Sequence, residues 1–117
     1  MPRILVADDT DTIRKLLTST LERVGYEVKT VRDGPTAYAI AKEGDFDLII
    51  LDQLMPGLLG LDVIDQLRND GVEVPVIMLS GVDDGLTAAE SLHRGAVDYI
   101  RKPFEVTELL ARIEARL

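Results

Sequence analysis

Apolar and polar positions along the chain divide it into five short β-like runs, each followed by a helix-like stretch. Three of the runs are apolar at nearly every position: residues 4–6, 48–51 and 76–79. Strands that are apolar on both faces are typical of a parallel sheet covered by helices on either side. The pattern therefore predicts an α/β protein with three buried central strands.

The apolar spacing also sets the predicted element bounds. The strands are predicted at 3–7, 26–31, 47–51, 74–79 and 97–100. Apolar residues at three- and four-residue steps predict the first helix, which ends at Gly25 and carries Ile13, Leu16, Leu17, Leu21 and Val24 at these steps. The remaining helices are predicted at 34–44, 61–68, 86–94 and 106–117. In the last of these, the predicted inward positions are Leu109, Leu110, Ile113 and Leu117.

The alternation of strands and helices predicts a specific topology. Short connections between successive units imply right-handed crossovers and a doubly wound sheet. The second strand alternates polar and apolar positions and the fifth is short and flanked by charges, so both are predicted to be edge strands. We therefore expect one flavodoxin-like (βα)5 domain over residues 1–117, with strand order 2-1-3-4-5 and a switch point between strands one and three.

Composition restricts the classes of function. The 117 residues contain no cysteine and one histidine, so thiolate chemistry and zinc sites built on cysteine are excluded, and any metal must be a hard cation bound by oxygen. A formal net charge of −8 argues against electrostatic binding of nucleic acid or an anionic membrane. The chain shows no signal-peptide pattern, and its longest apolar run is far shorter than the ~20 residues that span a bilayer, so we expect a cytoplasmic protein.

Polar side chains follow four of the predicted strands. They are three carboxylates, one hydroxyl and one amine: Asp8, Asp9, Asp52, Ser80 and Lys102. The carboxyl ends of parallel strands meet at one edge of the sheet, which is where such folds bind ligands. Clustered carboxylates repel one another unless a cation lies between them, and Mg²⁺ prefers oxygen ligands of this kind. Because a carboxylate can also act as a nucleophile toward phosphorus, the cluster favours Mg²⁺-dependent formation of an aspartyl phosphate.

These segments together resemble one known family, the receiver domains of two-component response regulators. The matching segments are 4–9 (ILVADD), 51–57 (LDQLMPG), 76–81 (VIMLSG) and 95–104 (GAVDYIRKPF). Each segment alone is weak, but their joint order along nearly the whole chain is specific. The resemblance implies that Asp52 accepts a phosphoryl group from a sensor histidine kinase or a histidine phosphotransfer protein.

The resemblance also implies roles for the other residues. Asp9 and Asp52 would bind Mg²⁺ directly together with the backbone carbonyl of Leu54, and Asp8 would act through water. Lys102, Ser80 and the Gly81 N–H would bind the phosphoryl oxygens, and the Lys102–Pro103 bond would be cis.

The resemblance further implies a switch and an output face. Tyr99 would be the switch residue, changing the face formed by helix four, strand five and helix five. That face could also form a homodimer, with a pair between Asp98 and Arg112 across it. Solvated, unpaired side chains at Asp98 and Arg112 are an equally open interpretation.

Several positions depart from the usual family pattern. Leu54 and Val82 stand two residues beyond Asp52 and Ser80, where side chains tune the attack of water on the phosphoryl group. Both are apolar and cannot orient water, so we expect self-dephosphorylation over minutes or longer. The adjacent Leu58 and Leu59 follow the Pro-Gly turn, and either local packing or a contact surface would account for them.

Other classes of protein stay open at this point. A haloacid-dehalogenase-type phosphatase would use the same nucleophile and Mg²⁺, but it needs a second aspartate at the position of Leu54. A flavin-binding protein of similar fold would need a phosphate loop where Asp8 and Asp9 stand, and these would repel phosphate. A receiver domain that is folded but never phosphorylated is the third alternative. The residues do not reveal the cognate kinase or whether an output domain follows Leu117.

Overall fold

The structure is a computed structural model that describes residues 1–81 and 84–117. Five parallel strands alternate with five helices along the described residues. The strands are β1 (Arg3–Ala7), β2 (Glu27–Val31), β3 (Leu48–Asp52), β4 (Val76–Ser80) and β5 (Asp98–Arg101). The helices are α1 (Asp11–Arg23), α2 (Gly34–Glu43), α3 (Gly60–Asn69), α4 (Ala88–His93) and α5 (Val106–Glu114).

The sheet has the order β2-β1-β3-β4-β5, with every neighbouring pair parallel. This confirms the predicted topology and the predicted edge strands. β1 and β3 lie side by side at the centre, with Ala7 opposite Leu51 in the register. Successive crossovers leave these two strands toward opposite faces of the sheet, which opens a cleft above their carboxyl ends.

Alternate residues of the central strands fill two separate cores, because side chains of a strand point to opposite faces in turn. Leu5 and Ile49 belong to the core that is covered by α2, α3 and the segment around α4. Ile4 and Ile50 belong to the opposite core, which is covered by α1 and α5. All positions of β3 and β4 are buried, as the continuous apolar runs predict.

Three apolar residues that fit the predicted helical spacing are exposed, and the prediction that Leu117 points inward is wrong. Leu16 and Val24 of the first predicted helix are 41% and 46% exposed, because Leu17 and Leu21 already cover the sheet and α1 ends at Arg23. Leu117 is 46% exposed, since α5 ends at Glu114 rather than continuing to the last residue.

The fourth helix is also shorter than predicted. α4 covers only Ala88–His93, and its first turn is capped by the Thr87 side chain, which accepts a hydrogen bond from the Glu90 N–H. Leu86 lies before this helix, where it is buried in the core beneath α3 and α4. The apolar spacing that predicted a helix start at residue 86 therefore marks a buried loop residue.

Close packing of loops shapes the end of the sheet that carries the polar residues. A Cβ atom at Gly60 would lie 2.3 Å from the Asp52 carbonyl oxygen, so only glycine allows α3 to start this close to β3. A Cβ atom at Gly34 would likewise lie 2.2 Å from the Leu58 carbonyl oxygen. Leu58 is half-buried against the core, which supports the local-packing interpretation for it, whereas Leu59 is exposed.

None of the helices in the described part of the chain has the length and apolar character needed to cross a membrane.

Candidate functional site

Three carboxylates meet at the carboxyl ends of β1 and β3. Asp8, Asp9 and Asp52 each offer one oxygen, and these three oxygens lie within 4.8 Å of one another. Asp8 and Asp52 are buried, at 1% and 3% exposure, whereas Asp9 is open to solvent. The side chain of Asp8 is held by the Thr10 N–H, which donates to its Oδ1 at 2.9 Å. The central pairing of β1 with β3 thus produces the predicted acidic cluster.

Lys102 reaches this cluster from β5, on the far side of β4. Its backbone N–H donates to the Ser80 carbonyl at 2.7 Å, which continues the β4–β5 pairing beyond the strand. Its Nζ lies 2.7 Å from Asp8 Oδ2 and 3.4 Å from Asp52 Oδ1. The Lys102–Pro103 bond is cis, as the resemblance implied. One ammonium group therefore bridges the two buried carboxylates.

The environment of Asp52 disfavours its ionised form. Burial, followed by the charge of Asp8, raises the pKa of Asp52 from 3.8 to about 7 even though Lys102 acts in the opposite direction. Burial also lowers the pKa of Lys102, but its hydrogen bond to Asp8 and the charge of Asp52 outweigh burial and raise that pKa overall. In the absence of a second cation the site thus has more negative groups than Lys102 can neutralise.

Ser80 is fully buried at the end of β4, and Gly81 follows it directly. Both groups already have a partner, which the sequence analysis did not identify. The Ser80 hydroxyl and the Gly81 N–H both donate to the same oxygen of Asp84, at 2.8 Å and 2.9 Å. A carboxylate four residues beyond the hydroxyl was the available sequence signal, but spacing alone does not show that the carboxylate accepts a hydrogen bond from the hydroxyl.

Tyr99 lies on β5 and is half-buried against the core formed under α3 and α4. Its hydroxyl donates to the Leu86 carbonyl at 3.2 Å, which ties β5 to the segment that precedes α4. Leu54 is 46% exposed and lines the cavity above Asp52. Val82, the second residue expected to control attack by water, lies outside the described residues.

The site opens into a cavity of 300 Å³ that is lined by Asp9, Asp52, Asp84 and Lys102, among others. The donors present are hard carboxylate oxygens that lie close enough together to share one ion, and this donor set fits Mg²⁺. A buried carboxylate, an ammonium group and two hydrogen-bond donors around one cavity are the groups that phosphoryl transfer to a carboxylate requires.

Two further contacts bear on the predictions. Arg112 of α5 makes two 2.9 Å hydrogen bonds to Asp98 of β5 within the same chain, so the interpretation in which these two side chains are solvated and unpaired is wrong.

Gln53 is a neighbour of the site that the sequence analysis missed. Its buried amide oxygen accepts from the Leu61 N–H at 2.9 Å and anchors the start of α3 beside Asp52.

Comparison with curated proteins gives similar sequences along almost the whole chain. The chain is 41% identical to the "Uncharacterized transcriptional regulatory protein YkoG" of Bacillus subtilis, over 97% of this chain and 50% of that protein. It is also 41% identical to the "DNA-binding response regulator MtrA" of Mycobacterium tuberculosis, over 98% of this chain and 50% of that protein. The chain spans about half the length of these relatives.

Solved structures give the same result for the fold. The receiver domain of the Francisella response regulator 1452 superposes with a TM-score of 0.93 at 33% identity, covering 99% of this chain and 96% of that one. The response regulator TrrA of Thermotoga maritima, solved in complex with Mg²⁺-BeF, superposes with a TM-score of 0.89 at 35% identity over 100% of both chains. The family model described as response regulator receiver domain matches residues 4–114, and the chain therefore belongs to the receiver domains of two-component response regulators.

Proposed function

We propose that Asp52 is the phosphoacceptor of this receiver domain and takes a phosphoryl group from a phosphohistidine. The donor would be a sensor histidine kinase or a histidine phosphotransfer protein. The observation that carries this proposal is the buried Asp52 carboxylate at the tip of β3, 3.4 Å from the Lys102 ammonium and beside two further carboxylates. In the transfer, a bond forms between an Asp52 oxygen and phosphorus while the bond from phosphorus to the histidine nitrogen breaks.

Each neighbouring group has a part in this proposal. Lys102 would balance charge on a phosphoryl oxygen, since it already lies against the Asp52 carboxylate. The Ser80 hydroxyl and the Gly81 N–H would donate to a second oxygen from the end of β4. Asp9, Asp52 and the Leu54 carbonyl would hold Mg²⁺ directly, with Asp8 acting through water. The cation would supply the positive charge that the acidic cluster lacks.

The output is proposed to be the face formed by α4, β5 and α5. The Ser80 hydroxyl bonds Asp84, and the Tyr99 hydroxyl bonds the Leu86 carbonyl two residues further along the chain. A rearrangement at Ser80 would therefore reach this face through the residues that precede α4. A homodimer through the same face is part of the proposal, in which the Asp98–Arg112 pair would lie at the interface. The relative MtrA is named a DNA-binding response regulator, and regulation of a DNA-binding output is the role that we propose for a longer protein containing this domain.

The net charge of −8 supports a domain that does not itself bind nucleic acid or an anionic membrane. A cytoplasmic location, where a kinase could reach it, completes the proposal.

The phosphatase alternative is not favoured, because Leu54 stands where such an enzyme needs its second aspartate and the family match covers residues 4–114. The domain would instead promote its own phosphorylation and lose the phosphoryl group slowly.

Incubation with acetyl phosphate and Mg²⁺ tests the proposal directly. We expect the intact mass to increase by one phosphoryl group in the wild type, and the adduct to be stable in acid and labile in base. The variant Asp52→Asn should not gain this adduct, because its amide is not nucleophilic. Chelation of Mg²⁺ with EDTA should suppress the reaction in the wild type.

Asp45→Asn provides the matched control. Asp45 is an exposed aspartate just before β3, at the opposite end of the sheet, and its replacement should leave phosphorylation unchanged. Equal modification of the wild type and Asp52→Asn would disprove the assignment of the phosphoacceptor. A wild type that releases free phosphate with many turnovers and no accumulating adduct would favour the phosphatase alternative.

A further inference from the structure

A carboxylate from the loop after β4 holds the two donors that the proposed function assigns to the phosphoryl group. The same oxygen of Asp84 accepts from the Ser80 hydroxyl at 2.8 Å and from the Gly81 N–H at 2.9 Å. The backbone N–H of Asp84 also donates to the Gly81 carbonyl, at 3.3 Å. Both donors are thus engaged by one anionic oxygen in the unphosphorylated protein.

The position of this oxygen is the one a phosphoryl oxygen would need. A single anionic oxygen that accepts from a buried hydroxyl and from the next backbone N–H has the same contacts as those proposed for phosphorylated Asp52. Asp84 also lines the cavity together with Asp52 and Lys102, so it borders the space that the transferred group would enter. Carboxylate and phosphoryl oxygens cannot occupy one pair of donors together.

The negative charge of Asp84 also disfavours a phosphoryl group at Asp52. Asp84 adds a negative charge to a site in which Asp8 and Asp52 already share one ammonium group. Hydrogen bonds to an ionised oxygen are roughly twice as strong as those between neutral groups, so displacing Asp84 costs free energy. A phosphoryl group at Asp52 must offset that cost to gain the same two donors.

We propose that Asp84 is an intramolecular competitor of the phosphoryl group, whose carboxylate holds Ser80 and Gly81 in the resting state and must leave them on phosphorylation. The inference rests on the proposed function of Asp52. It makes Asp84 a residue that sets how readily this particular receiver is activated.

The displaced carboxylate also has a route to the proposed output face. Gly85 follows Asp84 with a φ of +70°, a conformation that glycine adopts without strain, and Leu86 comes next. The Leu86 carbonyl accepts the hydroxyl of Tyr99, while its side chain is buried in the core. Release of Asp84 would therefore free the chain two residues before Leu86, whose carbonyl Tyr99 contacts.

The affinity for beryllofluoride in the presence of Mg²⁺ measures this competition, because beryllofluoride occupies the place of a phosphoryl group on a carboxylate. We expect Asp84→Ala to bind it about tenfold more tightly than the wild type, which corresponds to about 1.4 kcal/mol. Asp84→Asn, which keeps a neutral oxygen, should fall between the two. Asp45→Ala removes the same charge far from the site and should bind like the wild type.

A second readout does not depend on any phosphoryl analogue. In the Mg²⁺-free protein, the Gly81 amide resonance should shift upfield in Asp84→Ala and its hydrogen exchange should accelerate, because the hydrogen bond to the carboxylate is lost. The same resonance should stay in place in Asp45→Ala. If the alanine variant does not fold, Asp84→Asn decides between the outcomes with the same two measurements.

The possible results distinguish a failure of the competitor role of Asp84 from a failure of the proposed phosphoacceptor role of Asp52. A wild type that binds beryllofluoride and an Asp84 variant that binds no more tightly would overturn the competitor role and leave Asp52 as the phosphoacceptor. An unchanged Gly81 amide in the Asp84 variant would overturn it as well. A folded wild type that binds no beryllofluoride with Mg²⁺ would overturn the proposed function and the competitor role together.

Discussion

Around Asp52, the balance between buried carboxylates and a single ammonium group decides the chemistry of the site. Asp8 and Asp52 are both almost fully buried, and Lys102 contacts both. A buried charge without a partner is costly, so the cation that joins the site does more than orient a phosphoryl group. It would also relieve a destabilisation that the fold carries in its metal-free form.

The raised pKa of Asp52 predicts how the stability of the Mg²⁺-free protein depends on pH. Between 3.8 and about 7 the folded state keeps a proton that the unfolded chain has released, so the free energy of unfolding falls as pH rises. The amide side chain of Asp52→Asn cannot ionise, so the free energy of unfolding of this variant does not fall through the ionisation of residue 52. Its stability advantage over the wild type should grow through this window by at most about 1.4 kcal/mol per pH unit and then level off.

Denaturant unfolding in EDTA across this pH range measures the difference. Well below pH 3.8 the difference in stability between the two proteins should be smallest, because Asp52 is then protonated in both the folded and the unfolded state. Adding Mg²⁺ at higher pH should stabilise the wild type more than the variant, since a ligand stabilises the state that binds it. A difference that does not vary with pH would show that Asp52 titrates in the folded protein as it does in the unfolded chain.

The apolar side chain of Leu54 predicts that a phosphoryl group on Asp52 is long-lived. Its side chain is apolar and borders the cavity above Asp52, where it can crowd an attacking water but cannot orient one through a hydrogen bond. We expect the Asp52 phosphate to decay over minutes or longer with Mg²⁺ present, and the double variant Leu54→Asn, Val82→Glu to lose it faster. Loss within seconds from the wild type, or no change in the double variant, would contradict this prediction.

Where β5 meets α5, one ion pair connects the strand to the helix of the proposed output face. Arg112 donates to both oxygens of Asp98 and lies 3.6 Å from Glu108. The hydrogen bonds to Asp98 and its charge raise the pKa of Arg112. Because the arginine side chain is 42% exposed, water screens the pair and limits its contribution to the free energy of unfolding.

Arg112→Ala should therefore lower the free energy of unfolding by less than about 1 kcal/mol. The measurement is chemical denaturation at moderate and at high salt, and the difference from the wild type should shrink as salt is added. Arg101→Ala is the matched control, since Arg101 is an exposed arginine on the same strand, β5. A loss several times larger for Arg112 would mean that the pair is a structural anchor instead of a surface contact.

Stability of the protein as a unit comes from the two cores on either side of the sheet. Adjacent leucines of α1 offer a test of this, because Leu17 is fully buried whereas Leu16 is 41% exposed. Leu17→Ala should lower the free energy of unfolding by about 2–5 kcal/mol, since it leaves a cavity between α1 and the sheet. Leu16→Ala should cost far less, and similar losses at both positions in a denaturant titration would contradict the two-core description.

The continuous apolar runs of β1, β3 and β4, together with the more polar patterns of β2 and β5, predicted the sheet order and the end of the sheet that carries the site. Burial on both faces leaves a strand no surface for polar residues, so its pattern is visible in sequence without knowledge of its neighbours. The polar residues at the strand ends then follow from the parallel arrangement. For that reason Asp8, Asp9, Asp52 and Lys102 were predicted to meet, and the structure brings them together.

Helix ends and exposed apolar residues were predicted less well. A three- and four-residue spacing selects a stripe of side chains, but the curvature of the sheet and the end of the helix decide which of them are covered. Leu16, Val24 and Leu117 fit the stripe and still lie at the surface. Leu86 fits it as well, yet it enters the core from a loop.

The amino-acid sequence by itself determined the sheet, its order and the presence of an acidic site, because each follows from local patterns of apolar, polar and charged residues. Only the tertiary structure decided which groups contact each other there. The bridge from Lys102 to both buried carboxylates and the hold of Asp84 on Ser80 and Gly81 depend on how far each loop folds back. That distance is set by packing between segments remote in sequence, which no pattern of neighbouring residues records.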